Sequence, residues 1–124
     1  MALTKQQQKD AHIISIFDGW KYFEEDTKWG KLKAYKKNSI TVTTETLHIR
    51  YSKSMDWLYP AFKKLRDMQI DWFKSQKDFD FDRVYFEHKK CIERIGAKIT
   101  HSDVSEAYNE MIKSIISLGL NKNI

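Results

Sequence analysis

His48, Arg50 and Lys53 stand close together in Leu47-His48-Ile49-Arg50-Tyr51-Ser52-Lys53. A base, a phosphate ligand and a cation are what the smallest nucleases use to cleave a phosphodiester. Read as a strand, this stretch turns His48 and Arg50 to one face and Leu47, Ile49 and Tyr51 to the other. The plainer reading is an ordinary polar strand face, and a small nuclease built on His48 and Arg50 is kept as the alternative. His12, His88 and His101 are scattered along the chain. Cys91 and His88 lie three apart, but one Cys and one His fall short of the four ligands of a zinc site. Cys91 reads as a small buried thiol.

Asp78, Asp80 and Asp82 imitate the start of a calcium loop. The pattern then requires Gly where Arg83 stands and Glu where Lys89 stands, so it fails. Glu24-Glu25-Asp26 reads as a solvated turn rather than a paired-carboxylate site. Four glycines far apart make no phosphate-cradling loop. No catalytic set, metal site or cofactor motif is found, and the chain is expected not to be an enzyme.

One segment does interleave cations with rings: Lys28-Trp29-Gly30-Lys31-Leu32-Lys33-Ala34-Tyr35-Lys36-Lys37. Lysines can track phosphates while aromatic faces stack on bases. The competing reading is a hairpin with apolar residues inward and lysines outward. With Arg50 and Lys53, this segment is the candidate surface for a nucleic acid or protein partner. Its nine residues are Lys28, Trp29, Lys31, Lys33, Tyr35, Lys36, Lys37, Arg50 and Lys53.

The elements that position these residues belong to one domain of 124 residues. Hydrophobic residues make up 41% and charged residues 31%, the balance of a globular chain rather than a disordered one. Net charge is +5, and only four of the 22 basic residues are Arg. Specific reading of bases or phosphates favours Arg, and an excess of Lys more often marks a solvated surface, but the uneven distribution of the charge keeps a negatively charged partner, nucleic acid among them, as a candidate. Residues 27–55 hold seven basic residues against Glu45 alone. A single cysteine points to a reducing compartment. With no apolar leader and no apolar run near the ~18 residues a membrane span needs, a cytoplasmic protein without membrane contact is expected.

Residues 4–18 read as a helix capped by Thr4, with Ile13, Ile16, Phe17 and Trp20 at helical spacing and Gly19 as stop. Residues 20–23 can begin a strand, and 24–31 read as a polar connection. Residues 31–35 alternate as a strand, Lys37-Asn38-Ser39 turns the chain, and 40–51 read as one or two further strands. A helix over 56–68 carries Leu58, Ala61, Phe62, Leu65 and Met68, with Trp72 beyond. Residues 78–95 fit both periods. Strands are preferred, although Val84, His88, Cys91, Ile92 and Ile95 also suit a helix stopped by Gly96. The last helix, 103–118, buries Tyr108, Ile112 and Ile115 among others. The resulting fold is α+β: an antiparallel sheet of three to five strands with about three helices packed on it. Its core comprises Ile13, Phe17, Leu47, Ile49, Leu58, Phe62, Leu65, Tyr108, Ile112 and Ile115. There is no internal repeat or low-complexity tract.

The segment Tyr51-Ser52-Lys53-Ser54-Met55-Asp56-Trp57-Leu58-Tyr59-Pro60, followed by Phe62 and Leu65, resembles a small group of bacteriophage and prophage proteins. In that group a strand runs into a helix opening with a Trp-Asp-Trp-Leu-Met-Pro-like motif. Here Met55 replaces the first Trp and Tyr59 the Met. Val104 to Ile112 is similar to their last helix and Ile13 to Gly19 to their opening one, whereas 69–100 departs most. The resemblance implies a sandwich-like α/β domain from a phage or mobile element, and it carries no catalytic residues. The expected function is therefore a non-enzymatic phage protein acting against host defence. One such role is an anti-CRISPR that binds an RNA-guided nuclease or its RNA in the host cytoplasm. A phage accessory protein without inhibitory role is a further alternative.

Overall fold

The computed structural model describes the backbone of residues 3–75 and 81–121 and the side chains of residues 3–68 and 86–121. The first helix, α1 (Lys5–Phe17), opens on a capping box: Thr4 accepts from the Gln7 N–H, and the Gln7 side chain accepts from the Thr4 N–H. It closes at Gly19, whose φ of 98° only glycine adopts readily. The Trp20 N–H then bonds back to the Ser15 carbonyl at 2.9 Å. That closure turns Trp20 into the interior, where it is 6% exposed.

Three antiparallel strands follow in the order β1-β2-β3: β1 (Lys21–Thr27), β2 (Gly30–Lys37) and β3 (Ile40–Thr43). The sheet and its helices make the fold α+β, as expected. The expected polar connection over 24–31 is mostly strand, because Glu24, Glu25 and Asp26 find Lys33, Leu32 and Lys31 directly opposite. The connection shrinks to Lys28 and Trp29. Asn38 and Ser39, at φ 51° and 71°, form the second two-residue turn. Such a turn matches strand twist.

The expected strand over 40–51 ends at Thr43, and α2 (Thr44–Lys53) replaces the rest. Thr43 caps it by accepting the Thr46 N–H, Glu45 occupies the first turn, and Arg50 and Lys53 the last, the arrangement that suits a helix dipole. Leu47 and Tyr51, four apart, are fully buried, whereas Ile49 is 44% exposed. Period two and period four both touch Leu47 and Tyr51. Ile49 decides between them, and it faces solvent. The strand that the phage resemblance implies ahead of the Trp57 helix is therefore a helix in this chain.

Helix α3 (Met55–Ser75) begins one residue later than Ser54, whose carbonyl accepts from Leu58. It is longer than the expected 56–68. Helix α4 (Phe81–Thr100) overturns the preferred strands across 81–95. His88, Cys91 and Ile95 are buried at helical spacing. Gly96 does not stop it, and Phe62 packs 4.0 Å from where a side chain there would begin. The expected strand residues 78–80 lie outside the described residues. Asp103 caps α5 (Val104–Ser117), accepting from Glu106 at 3.2 Å.

There are thus five helices among the described residues rather than about three, and they pack chiefly on each other. Helices α1 and α2 carry the sheet, while α3, α4 and α5 close the core behind them. Phe17, Leu47, Leu58, Phe62, Leu65, Tyr108, Ile112 and Ile115 are buried as expected. Ile13 is half-buried, and Ile49 is not core. Alternation along the strands hid Tyr35, and the helix hid Tyr51. Both are among the largest fully buried side chains.

Candidate nucleic-acid interface

The strand register distributes the nine expected contact residues. Alternation along β2 puts Lys31, Lys33, Tyr35 and Lys37 on the face toward α1 and Lys36 on the opposite face. Lys28 and Trp29 form the hairpin tip, with Trp29 93% exposed. Arg50 and Lys53 lie at the far end of α2. These nine do not form one continuous patch.

Two of the lysines are engaged within the chain. Lys31 pairs with Glu24 at 3.3 Å. Lys37 donates to the Asp18 carbonyl at 2.8 Å, sits 3.6 Å from the Asp18 carboxylate, and lies over the Trp20 ring. Tyr35, expected to offer its ring to a base, is 2% exposed and belongs to the core. The Arg50 guanidinium lies over Trp57, 5.9 Å from its ring centre. His48 turns instead to Tyr108, its Nδ1 3.1 Å from the phenol oxygen. Two residues apart on a helix point about 200° apart, so His48 and Arg50 do not converge on one substrate.

What the fold does assemble is a cleft of about 880 Å³ between α1 and the sheet. Lys5, Lys9 and His12 reach it from α1, at positions i, i+4 and i+7 of one helix face. Tyr22, Lys33 and Tyr35 reach it from the hairpin. None of the described residues lining it is Asp or Glu. Lys5, Lys9 and Lys33 are exposed at its rim.

Its floor is a cluster of three rings. The Tyr22 and Tyr35 centroids are 5.1 Å apart, and His12 stands edge-on to Tyr22 at 5.5 Å. His12 Nδ1 lies 2.5 Å from the Tyr35 hydroxyl. Burial pushes the Tyr35 phenol up to about 12 and lowers the His12 pKa below its ordinary value. At neutral pH the phenol is protonated and the imidazole neutral. A hydrogen bond joins the Tyr35 hydroxyl to Nδ1, its direction set by the imidazole tautomer. Tyr22 keeps 38% of its surface exposed, and its hydroxyl donates to Glu24 at 2.8 Å.

The sequence reading missed Lys5, Lys9, His12 and Tyr22 as a group. The signal was present as Lys5, Lys9 and His12 on one helix face, but an exposed lysine face is the common state of a surface helix. Only the sheet opposite distinguishes it.

Elsewhere the described residues hold no group of three or more His, Cys, Asp or Glu that could hold a metal ion. His88 and Cys91 are both buried: His88 Nε2 meets the Leu65 carbonyl, and Cys91 Sγ accepts from Arg94. None of the described helices is long and apolar enough to cross a membrane. No protein-family model, no curated protein and no solved structure matches the chain.

Proposed function

We propose that the chain is a non-enzymatic binding protein of phage or prophage origin that disables a host defence ribonucleoprotein in the cytoplasm by contacting its RNA. An RNA-guided nuclease is the kind of target meant. The observation that carries the RNA contact is the cleft: three lysines from two elements surround an aromatic floor with no carboxylate among the described lining residues. Ammonium groups at the rim suit phosphates, and the exposed side of Tyr22 suits a base. Lysine point charges favour a backbone over particular base edges, so tolerance of RNA sequence is expected. Supporting a binding role over catalysis, His12 and His48 are each tied to a tyrosine. The phage origin rests on the similarity around Trp57 and in the first and last helices.

The test is binding of labelled single-stranded RNA by fluorescence anisotropy across a salt series, with Lys5→Glu, Lys9→Glu and Lys33→Glu combined in one variant. Wild type should bind with an affinity that falls with salt, and each lost phosphate contact should remove about 0.7 from the log–log slope. Capture of a host ribonucleoprotein should be sensitive to ribonuclease. Ribonuclease-resistant capture by a protein that binds no RNA would transfer the contact to an acidic protein surface. Cleavage of the RNA in divalent metal would overturn the non-enzymatic reading.

A further inference from the structure

The sheet has a second basic face, and one tyrosine borders both. On the side away from α1, Lys21 of β1 and Lys36 of β2 are direct cross-strand partners, and Lys36 is also opposite Thr41 of β3. Two ammonium groups and a hydroxyl therefore form one row across all three strands. Like charges directly opposite each other destabilise a sheet. Lys31 and Lys37 are relieved by Glu24 and Asp18. Lys21 and Lys36 form no ion pair among the described residues. They line an open cleft of about 900 Å³ with Phe23 and Asn38, and Glu25 bounds its far end.

Tyr22 lines this outer cleft as well as the inner one. It can do so because β1 is an edge strand with no strand beyond it among the described residues. The way from one basic cleft to the other runs around that free edge, past a ring that is 38% exposed.

We infer that the RNA partner is an unpaired strand that wraps the free edge of β1, from the Lys5–Lys9–Lys33 cleft past Tyr22 to the Lys21–Lys36 face. This rests on the RNA-binding reading above and adds the form of the RNA. A duplex cannot follow this path, because a double helix bends over about 50 nm and the turn here is the width of one strand. A single strand turns freely, and its unstacked base can meet Tyr22 at the crossing. The repulsion between Lys21 and Lys36 is then relieved by a phosphate seated between them.

The test uses the full chain, two oligouridylates of about four and about sixteen nucleotides, a duplex of the longer length, and polyglutamate of comparable length. The informative variant is Lys36→Glu. It replaces the Lys21–Lys36 repulsion with an opposite-charge pair, so its melting temperature should equal or exceed that of wild type. Its affinity for the long strand should fall roughly tenfold and its salt slope by about 0.7 or more. The short strand, held by the inner cleft, should bind it as it binds wild type. Lys36→Gln should show the same pattern more weakly and serves if the first variant misfolds. Unchanged long-strand affinity in both variants, or a duplex bound as tightly as the single strand, would overturn the wrap and leave the RNA-binding reading standing. Polyglutamate bound as tightly as the long RNA would assign the path to an acidic polypeptide. No binding of either RNA by wild type would remove the RNA-binding reading itself.

Discussion

Trp20 and Trp57 lie face to face, with ring centroids 5.9 Å apart and planes 8° from parallel. Tyr51 stands edge-on to Trp57 and accepts the Trp20 indole N–H at 2.9 Å. Its own hydroxyl donates to the Asp18 carboxylate, and burial holds the phenol far above its usual pKa. Asp18 in turn holds Lys37 at the end of β2. Tyr51 and Trp57 thus meet the turn that follows the opening helix. They make a packing joint between α1, the sheet, α2 and α3.

The joint can be weakened in two steps. Trp20→Phe keeps a ring for stacking but removes the indole donor, and should cost about 0.5–1.5 kcal/mol. Trp20→Ala removes the ring as well and should cost about 3–5 kcal/mol. Urea midpoints measure both. A cost for Trp20→Ala below about 1 kcal/mol would show that the stack contributes little.

The nature of α2 is tested by its side chains. Leu47→Ala should cost about 2–5 kcal/mol, as should Leu58→Ala and Ile112→Ala in the neighbouring helices. Ile49→Ala should stay within about 0.5 kcal/mol, because Ile49 faces solvent on a helix. A large loss at Ile49 would return this stretch to a strand.

Much of the fold is legible in the sequence where one signal is unopposed. Thr4 before a helical stripe, Ser102 or Asp103 before another, and Asn38-Ser39 between alternating runs each specify their element locally. The failures fall where two periods share residues. Leu47 and Tyr51 satisfy both strand and helix, and so do the apolar positions of 84–95. The arbiter is tertiary: the faces of α1, α3 and α5 offer buried places at helical spacing. The site is less legible still. Lys31 and Lys33 resemble an unopposed basic stripe until the register brings Glu24 beside them. Lys5 and Lys9 resemble a solvated face until the sheet closes over His12.

Acid should weaken the fold. Burial lowers the pKa of His12, His48 and His88 below the ordinary 6.5; Asp10 partly opposes this at His48 and the Leu65 carbonyl at His88. Below 6.5 the unfolded chain binds protons on these imidazoles that the folded chain does not. Their contribution is therefore full above about pH 6.5 and declines as pH falls through the lower folded values. Urea midpoints should drop between about pH 8 and about pH 5. The drop should be smaller in His48→Gln, and an equal drop would exclude His48 as a contributor.

Lys37 behaves differently from the other hairpin lysines. Lys37→Glu sets a carboxylate against Asp18 and removes the bond to the Asp18 carbonyl, so it should cost about 1–3 kcal/mol. Lys33→Gln, at an exposed position, should stay within about 0.5 kcal/mol, whereas Lys33→Glu would set a carboxylate directly opposite Glu24. Charge reversal across Lys31, Lys33, Lys36 and Lys37 together should therefore lower the melting temperature. Loss of binding in that variant is interpretable only beside variants that spare Lys37.

The aromatic contact distinguishes two routes for the RNA. Trp29 at the hairpin tip is about 20 Å from Tyr22, at 3.4 Å per residue along β1. On the route around the edge of β1, Tyr22→Ala should weaken binding of the long oligouridylate by about 1–3 kcal/mol, the contribution of one stacked base. Trp29→Ala should leave both stability and affinity within about 0.5 kcal/mol, because nothing in the fold rests on a ring that is 93% exposed. The reverse result, with binding lost at Trp29 and kept at Tyr22, would route the strand along β2 from Lys33 through Lys31 to the tip. That route must pass Glu24 and Asp26, so its affinity should rise when Glu24→Gln removes one of the two carboxylates. The same substitution also removes the acceptor of the Tyr22 hydroxyl and the carboxylate opposite Lys33, so it is the comparison of Tyr22→Ala with Trp29→Ala that separates the two routes.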